Sequence, residues 1–206
     1  MKCPALFDHC CVKDGKYCPV NCGENMTYDS KFYDRNYKFQ KALSDVLTPW
    51  IIENLKPESV IDFGCGCGYF LQSICENNIG LNFNKPHNLM IPELNFIQHD
   101  LSEYFDSNHN KFDLVISLEV AEHLPESSAD NFIESITDTA KDYILFSAAT
   151  PGQGGEGHLN ECPHSYWHHK FAEKGFIAHD IIRPILKDHK EVPFWYRQNI
   201  FLFKRV

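Results

Sequence analysis

The chain has 206 residues, a formal net charge of −9 and 43% hydrophobic residues, which suits one domain with a sizeable core. Its 19 Lys and Arg are scattered apart from Lys204-Arg205, so there is no basic stripe for a phosphate backbone. Long nucleic acid is thereby disfavoured as a partner, and a small molecule or terminal nucleotide is left open. No apolar run approaches the roughly 18 residues of a membrane span, and Met1 to His9 lacks the apolar core of a signal peptide. A cytoplasmic location without a membrane partner is the expectation; nothing in the sequence sets an oligomeric state.

Residues 1–30 are rich in Cys, Gly, Asn and Pro without periodicity and predict an irregular Cys-rich extension ahead of a domain over 31–206. Five of the nine cysteines lie there: Cys3, Cys10, Cys11, Cys18 and Cys22. Cys18 and Cys22 have an allowed zinc spacing, but a second clean pair is missing, so free thiols are expected before structural zinc. Phe39, Leu43, Val46 and Leu47 recur at helical spacing, and Thr48-Pro49 reads as an N-cap and first residue restarting a helix through Trp50, Ile51 and Leu55. Strands follow at about 59–63, 79–83, 96–99, 112–118 and 143–149. Helices lie between them, carrying Tyr69 to Cys75 and then Ala129 to Ile136. A helix from about Pro163 stops at Gly175, and 176–182 and 198–203 read as two final strands. In the 163–175 helix, His168 and His169 read as a solvated face and Tyr166, Trp167 and Phe171 as core. The alternation predicts an α/β fold, a doubly wound and mostly parallel seven-stranded sheet with helices on both faces.

One stretch carries chemistry at the first strand's end. Asp62-Phe63-Gly64-Cys65-Gly66-Cys67-Gly68 places three glycines at alternate positions, letting backbone approach a ligand. It is not the dinucleotide fingerprint, because position 69 is Tyr rather than Gly. D-x-G-x-G-x-G resembles motif I of the class I S-adenosylmethionine (SAM)-dependent methyltransferases, a resemblance covering about residues 30–205. It implies a Rossmann-like methyltransferase sheet with SAM as cofactor at the strands' carboxyl ends. Gly64, Cys65, Gly66 and Gly68 would then wrap the methionine end, with the two loop cysteines packing. Asp62 would orient the loop and meet the methionyl amine. The family's ribose-binding acid is here Asn82, in Gly80-Leu81-Asn82, an expected weaker grip through one acceptor. Asp100 matches the residue that accepts from the adenine amino group.

After the fourth strand the chain reads Leu118-Glu119-Val120-Ala121-Glu122-His123-Leu124-Pro125. If 119–123 form one helical turn, Glu119, Glu122 and His123 share a face. Two carboxylates and an imidazole there can hold a divalent metal, position a substrate or cap the helix. The loop Thr150 to Glu161 is Gly-rich and supplies His158. Glu119, Glu122, His123 and His158 resemble the metal quartet of small-RNA 3′-terminal 2′-O-methyltransferases, and E-x-x-E-H also occurs in ubiquinone-pathway O-methyltransferases. Those families imply Mg²⁺ or Mn²⁺ bridging substrate oxygens, with Glu119 also near the cofactor. The sequence therefore predicts methyl transfer to a hydroxyl of a small molecule or terminal sugar, with His158, His123 and Glu119 as catalytic candidates. A SAM-binding sensor or scaffold without turnover is the alternative, supported by Asn82.

Overall fold

The computed structural model describes residues 12–13, 16–17 and 30–206. Within the stretch read as irregular, β1 (Val12–Lys13) and β2 (Lys16–Tyr17) pair antiparallel; the five N-terminal cysteines lie outside the described residues. The elements that follow are α1 (Ser30–Asn54), β3 (Val60–Phe63), α2 (Tyr69–Ile74), β4 (Asn78–Asn82), β5 (Phe96–Gln98), β6 (Phe112–Leu118), α3 (Ala129–Thr139) and β7 (Ala140–Ser147). The chain closes with α4 (His164–Glu173), β8 (Phe176–His179), α5 (Ile182–Leu186), α6 (Phe194–Asn199) and β9 (Phe201–Arg205).

Seven strands form one sheet in the order β5-β4-β3-β6-β7-β9-β8, parallel except for β9, which runs antiparallel to both neighbours. The predicted fold class is thus present. Strand side chains alternate between faces with period two. Ile61 and Phe63 of β3 and Val115 of β6 pack with Phe132 and Ile136 of α3 and Trp167 and Phe171 of α4. Val60, Leu114 and Ile116 face the opposite way, onto Leu43, Leu47 and Ile51 of α1, Leu71 of α2 and Leu186 of α5. Chain order reverses direction between β3 and β6, and the crevice there, at the strands' carboxyl ends, is where ligands sit in open α/β sheets. No helix among the described residues is long and apolar enough to cross a membrane.

Four local expectations are corrected. Thr48-Pro49 does not restart a helix: α1 runs through Pro49 without a break. The Thr48 hydroxyl is buried and shared sideways with Ser44 and Ser73 at 3.0 Å each, tying α1 to α2 instead of capping. The strand read as 176–182 stops at His179, because Ile182 and Leu186 bury themselves one helical turn apart in α5. The strand read as 198–203 begins only at Phe201, since Pro193 leads into α6, which takes up Gln198. His168 is not on a solvated face: its ring packs edge-on against Phe201 and Phe203, with centroids 4.5 and 5.5 Å away, and burial pushes its pKa down. Trp167 and Phe171 are core as expected, and Gly175, at φ 80°, ends α4 in the left-handed conformation.

Candidate active site

A cavity of about 770 Å³ opens at the carboxyl ends of β3 to β7. Of the residues singled out in the sequence, Gly64, Gly66, Asn82, Asp100, Glu119, Glu122, His123 and His158 line it. Cys65 and Gly68 do not: Cys65 is 1% exposed and packs behind the loop, and Gly68 starts α2.

The glycine loop owes its shape to its three glycines, all left-handed at φ 92°, 54° and 79° for residues 64, 66 and 68. Its base is fixed on β4, where the Leu81 carbonyl accepts from the Gly64 and Cys65 amides at 2.8 and 3.0 Å. Its outer side is clasped by Gln40 of α1, whose amide donates to the Cys65 carbonyl at 3.2 Å and accepts from the Cys67 thiol at 3.3 Å. Sequence spacing gives no sign of Gln40, which precedes the loop by about four helix turns and a strand; only the packing of α1 over the sheet brings it there.

Asp62 sits at the loop's root, 5% exposed, beside a small recess shared with Gln40, Gly64 and Tyr196. Burial pushes its carboxyl up to about 8. A buried acid with no cationic partner among the described residues suits a ligand that brings a positive charge. The same shift has a consequence for the free protein. A folded-state value of about 8 against roughly 3.9 unfolded means that stability from the neutral carboxyl is present below the unfolded value and is lost as pH rises through the folded one. Asp62→Asn is expected to raise the melting temperature of the free protein at pH 8 relative to wild type and to leave it unchanged at pH 4. Thermal melts at both pH values check this; a variant equally or less stable at pH 8 refutes the assignment.

Asn82 ends β4 with its amide nitrogen committed to the Asn84 carbonyl at 2.8 Å and the Tyr33 hydroxyl at 3.2 Å, so its carbonyl oxygen is the free acceptor. Sequence alone argues that Asn82→Asp keeps or tightens ligand binding by adding a second acceptor. The structure reverses that sign, since a carboxylate oxygen would face the Asn84 carbonyl in place of a donor. Losing that bond and opposing two acceptors is expected to weaken SAM binding about tenfold, read by calorimetry; tightening would show the loop rearranges freely. Asp100 follows β5 and accepts from the Ser102 amide and hydroxyl through one oxygen, at 2.9 and 2.7 Å, which leaves its second oxygen to the cavity.

The β6 exit differs from the expected helical turn. Glu119 is left-handed at φ 55°, and the turn that follows covers only Ala121–His123. Glu119 therefore does not share a face with Glu122 and His123. Its carboxylate accepts from Gln153 Nε2 at 3.0 Å and Asn199 Nδ2 at 3.2 Å, two carboxamides that no sequence spacing relates to it. The predicted quartet is corrected to a trio: Glu122, His123 and His158 bring one potential ligand atom each within 4.8 Å of one another, and Glu119 is outside that group.

Two amides close the trio, because Leu159 and Asn160 both donate to the Glu122 carbonyl, at 2.7 and 3.0 Å, and draw the loop after β7 onto the turn after β6. The Glu122 side chain is fully buried, and neither of its oxygens finds a partner among the described residues. Burial and the neighbouring Glu119 hold its pKa well above the ordinary carboxylate value. Burial and the nearby His158 push His123 down to about 4, so its imidazole is neutral at physiological pH. His123 Nδ1 donates to the Gly157 carbonyl at 3.2 Å and His158 Nδ1 to Glu161 at 2.8 Å, which commits both Nδ1 positions and leaves the neutral His123 a lone pair on Nε2. Two imidazoles with Nδ1 anchored, beside a buried carboxyl, could hold a divalent metal.

Aromatic side chains missed by the sequence reading form the cavity's outer wall: Phe39 of α1 meets Trp195 of α6 edge-on at 5.2 Å, and Phe194, half exposed, packs against Trp195 at 5.3 Å. Their common feature, two short aromatic clusters far apart in sequence, acquires meaning only when α1 and α6 meet.

Comparison with known proteins bears on the fold. A family model described as a methyltransferase domain matches residues 32–180. No curated protein matches the sequence. The fold is similar to that of magnesium protoporphyrin IX methyltransferase (ChlM) from Synechocystis PCC 6803 with bound SAH, at 17% identity over 89% of this chain and 90% of that one, TM-score 0.57. It is similar too to the sugar N-methyltransferase KedS8 from Streptoalloteichus sp ATCC 53650, at 15% identity over 96% and 99% of the two chains, TM-score 0.63. The small RNA methyltransferase HEN1 shares 17% identity over 81% of this chain and 25% of its own, TM-score 0.58. At these identities the likeness is one of fold.

Proposed function

This chain belongs to the methyltransferase-domain family with SAM as methyl donor, and we propose that it methylates a hydroxyl oxygen of a small molecule or a terminal sugar with help from a divalent metal. Residues 31–206 act as the enzyme in this reading, preceded by the Cys-rich extension. The convergence of Glu122, His123 and His158 beside the cavity carries the proposal.

The cofactor side fits SAM: a loop of left-handed glycines, a buried acid at Asp62 for the methionyl amine, Asn82 for the ribose and Asp100 for the adenine amino group. SAM supplies a methyl group on a sulfonium, electrophilic enough that no nucleophilic side chain is needed. The chain's own task is to align the acceptor in line with that bond and to take up its proton. His158 Nε2 and His123 Nε2 are the nitrogens that can do so when no metal occupies them, their Nδ1 positions being committed elsewhere. The trio also fits a metal, since the Glu122 carboxylate is otherwise an orphaned buried acid. Mg²⁺ or Mn²⁺ bound there would lower the pKa of an acceptor hydroxyl, and the two imidazoles favour Mn²⁺ over the harder Mg²⁺. Gln153 and Asn199 hold Glu119 fixed at the cavity wall, and Phe194 and Trp195 add an aromatic face to the same cavity.

The test is mass spectrometry of a metabolite extract incubated with the protein, Mn²⁺ and isotopically labelled SAM. A labelled product carrying an O-methyl group supports the reading, and an N-methyl or C-methyl product refutes the oxygen assignment. Tight SAM binding with no product from any acceptor would instead favour a sensor or scaffold.

A further inference from the structure

We propose that Glu161 is a positioning residue: its carboxylate sets the orientation of His158 and, by the same bonds, folds the glycine-rich loop over the cavity. The inference rests on the placement of His158 in the active site. Glu161 lies after β7 and lines no part of the cavity itself. One of its oxygens accepts from His158 Nδ1 at 2.8 Å and from the Gly154 amide at 2.9 Å, and the other accepts from the Gly152 amide at 2.8 Å.

The loop's far half is tied to the turn after β6 through Leu159, Asn160 and Gly157, and Gln153 bonds Glu119 and Asn199, but the amides of Gly152 and Gly154 bond to Glu161. Gly152, Gly154 and Gly157 are left-handed at φ 84°, 69° and 76°, and a Cβ at Gly152 or Gly154 would meet nothing within 4 Å. Glycine there removes side-chain packing and leaves the unfolded loop with high conformational entropy. Three charge-assisted bonds to one acid offset that entropy. The loop's only ion pair to the rest of the chain among the described residues, Arg35 with Glu156 at 3.7 Å, is more than half exposed at both ends and contributes little. His158 and Glu161 are by contrast mostly buried, with side-chain exposures of 12% and 20%. Gly155 keeps the space beside the imidazole open, since a Cβ there would lie 2.2 Å from His158 Nε2. Removing the Glu161 carboxylate frees the His158 ring to rotate and swap tautomers, and takes two amide bonds from the loop.

The experiment uses the full chain, with Mn²⁺ alone and SAM alone as probes, in wild type, Glu161→Ala and Glu161→Gln. Glu161→Ala is expected to bind Mn²⁺ about 10- to 100-fold more weakly, with SAM affinity unchanged and partial recovery in Glu161→Gln. Long-range nitrogen–proton NMR of the metal-free protein supplies an independent readout. Recorded at a pH where the ring is neutral, His158 is expected to be a pure Nδ1–H tautomer in wild type and a mixture in Glu161→Ala. If wild type binds no Mn²⁺, the metal reading fails and the tautomer alone decides on Glu161. An unchanged tautomer in Glu161→Ala overturns the proposal, as does unchanged Mn²⁺ affinity where wild type binds the ion. Should Glu161→Ala fail to fold, the same two readouts on Glu161→Gln decide, with a wild-type tautomer and wild-type Mn²⁺ affinity overturning the proposal.

Discussion

Gly66→Val is expected to abolish SAM binding, weakening it by at least about 100-fold (about 2.7 kcal/mol). Two costs combine. Residue 66 is left-handed at φ 54°, where a β-branched side chain is strained by roughly 1–3 kcal/mol. Its Cβ would also sit 2.6 Å from the Gln40 side-chain nitrogen, the group that clasps the loop through the Cys65 carbonyl. The variant escapes by pushing α1 away or by flattening the loop into the cavity, and either movement spoils the cofactor cradle. Gly66→Ala should lose less, because alanine tolerates the left-handed region better and Gln40 is a flexible chain. Calorimetric titration with SAM on variants that keep the wild-type circular dichroism tests this, and near-normal affinity in folded Gly66→Val would mean that the loop does not hold the cofactor.

The second large effect separates the cofactor site from the chemistry. With an acceptor in hand, EDTA is expected to stop turnover and Mn²⁺ to restore it, while Glu122→Ala, His123→Ala and His158→Ala each lower turnover by about 10²–10⁴-fold. SAM affinity should barely change in the three variants, because the proposed cofactor contacts lie at the ends of β3, β4 and β5 and the trio at the ends of β6 and β7. Glu119→Ala is expected to leave metal affinity nearly intact, since its carboxylate is held by Gln153 and Asn199 outside the trio. Metal binding competes with the proton on Glu122, whose pKa burial raises, so apparent Mn²⁺ affinity is expected to rise with pH. If chelation does nothing and only His158→Ala is severe, His158 acts as a lone base. Indifference to both leaves proximity and orientation as the source of rate.

The order of strands, the glycine loop and the ligand-type residues at successive strand ends were legible because each is a local pattern. Val60-Ile61 ahead of Asp62 and three alternating glycines specify a buried strand and a left-handed turn whatever surrounds them. His158 could be placed because it lies in a long Gly-rich loop after a strand. The misreadings at Thr48-Pro49, Glu119 and the last two strands share a cause, which is that a local preference met a tertiary contact of greater weight. Thr48 has a capping side chain, but Ser44 and Ser73 give its buried hydroxyl better partners. Glu119 falls at helical spacing from His123, yet the amides of Gln153 and Asn199 hold its carboxylate while its backbone turns left-handed.

The amino-acid sequence by itself determined the alternation of strands and helices, and with it the sheet, its switch point and the side of the molecule on which a ligand sits. Hydrophobic period and glycine conformation act over a few residues and need no knowledge of the rest of the chain. The tertiary structure alone decided which acids and bases meet. Asp62 became an acid with a pKa near 8 only because α1, α2 and Tyr196 bury it. Gln40 and Asn199 entered the site only because helices distant in sequence pack against the strand ends. Burial and hydrogen-bond pairing depend on every neighbour at once, and no window of sequence contains them.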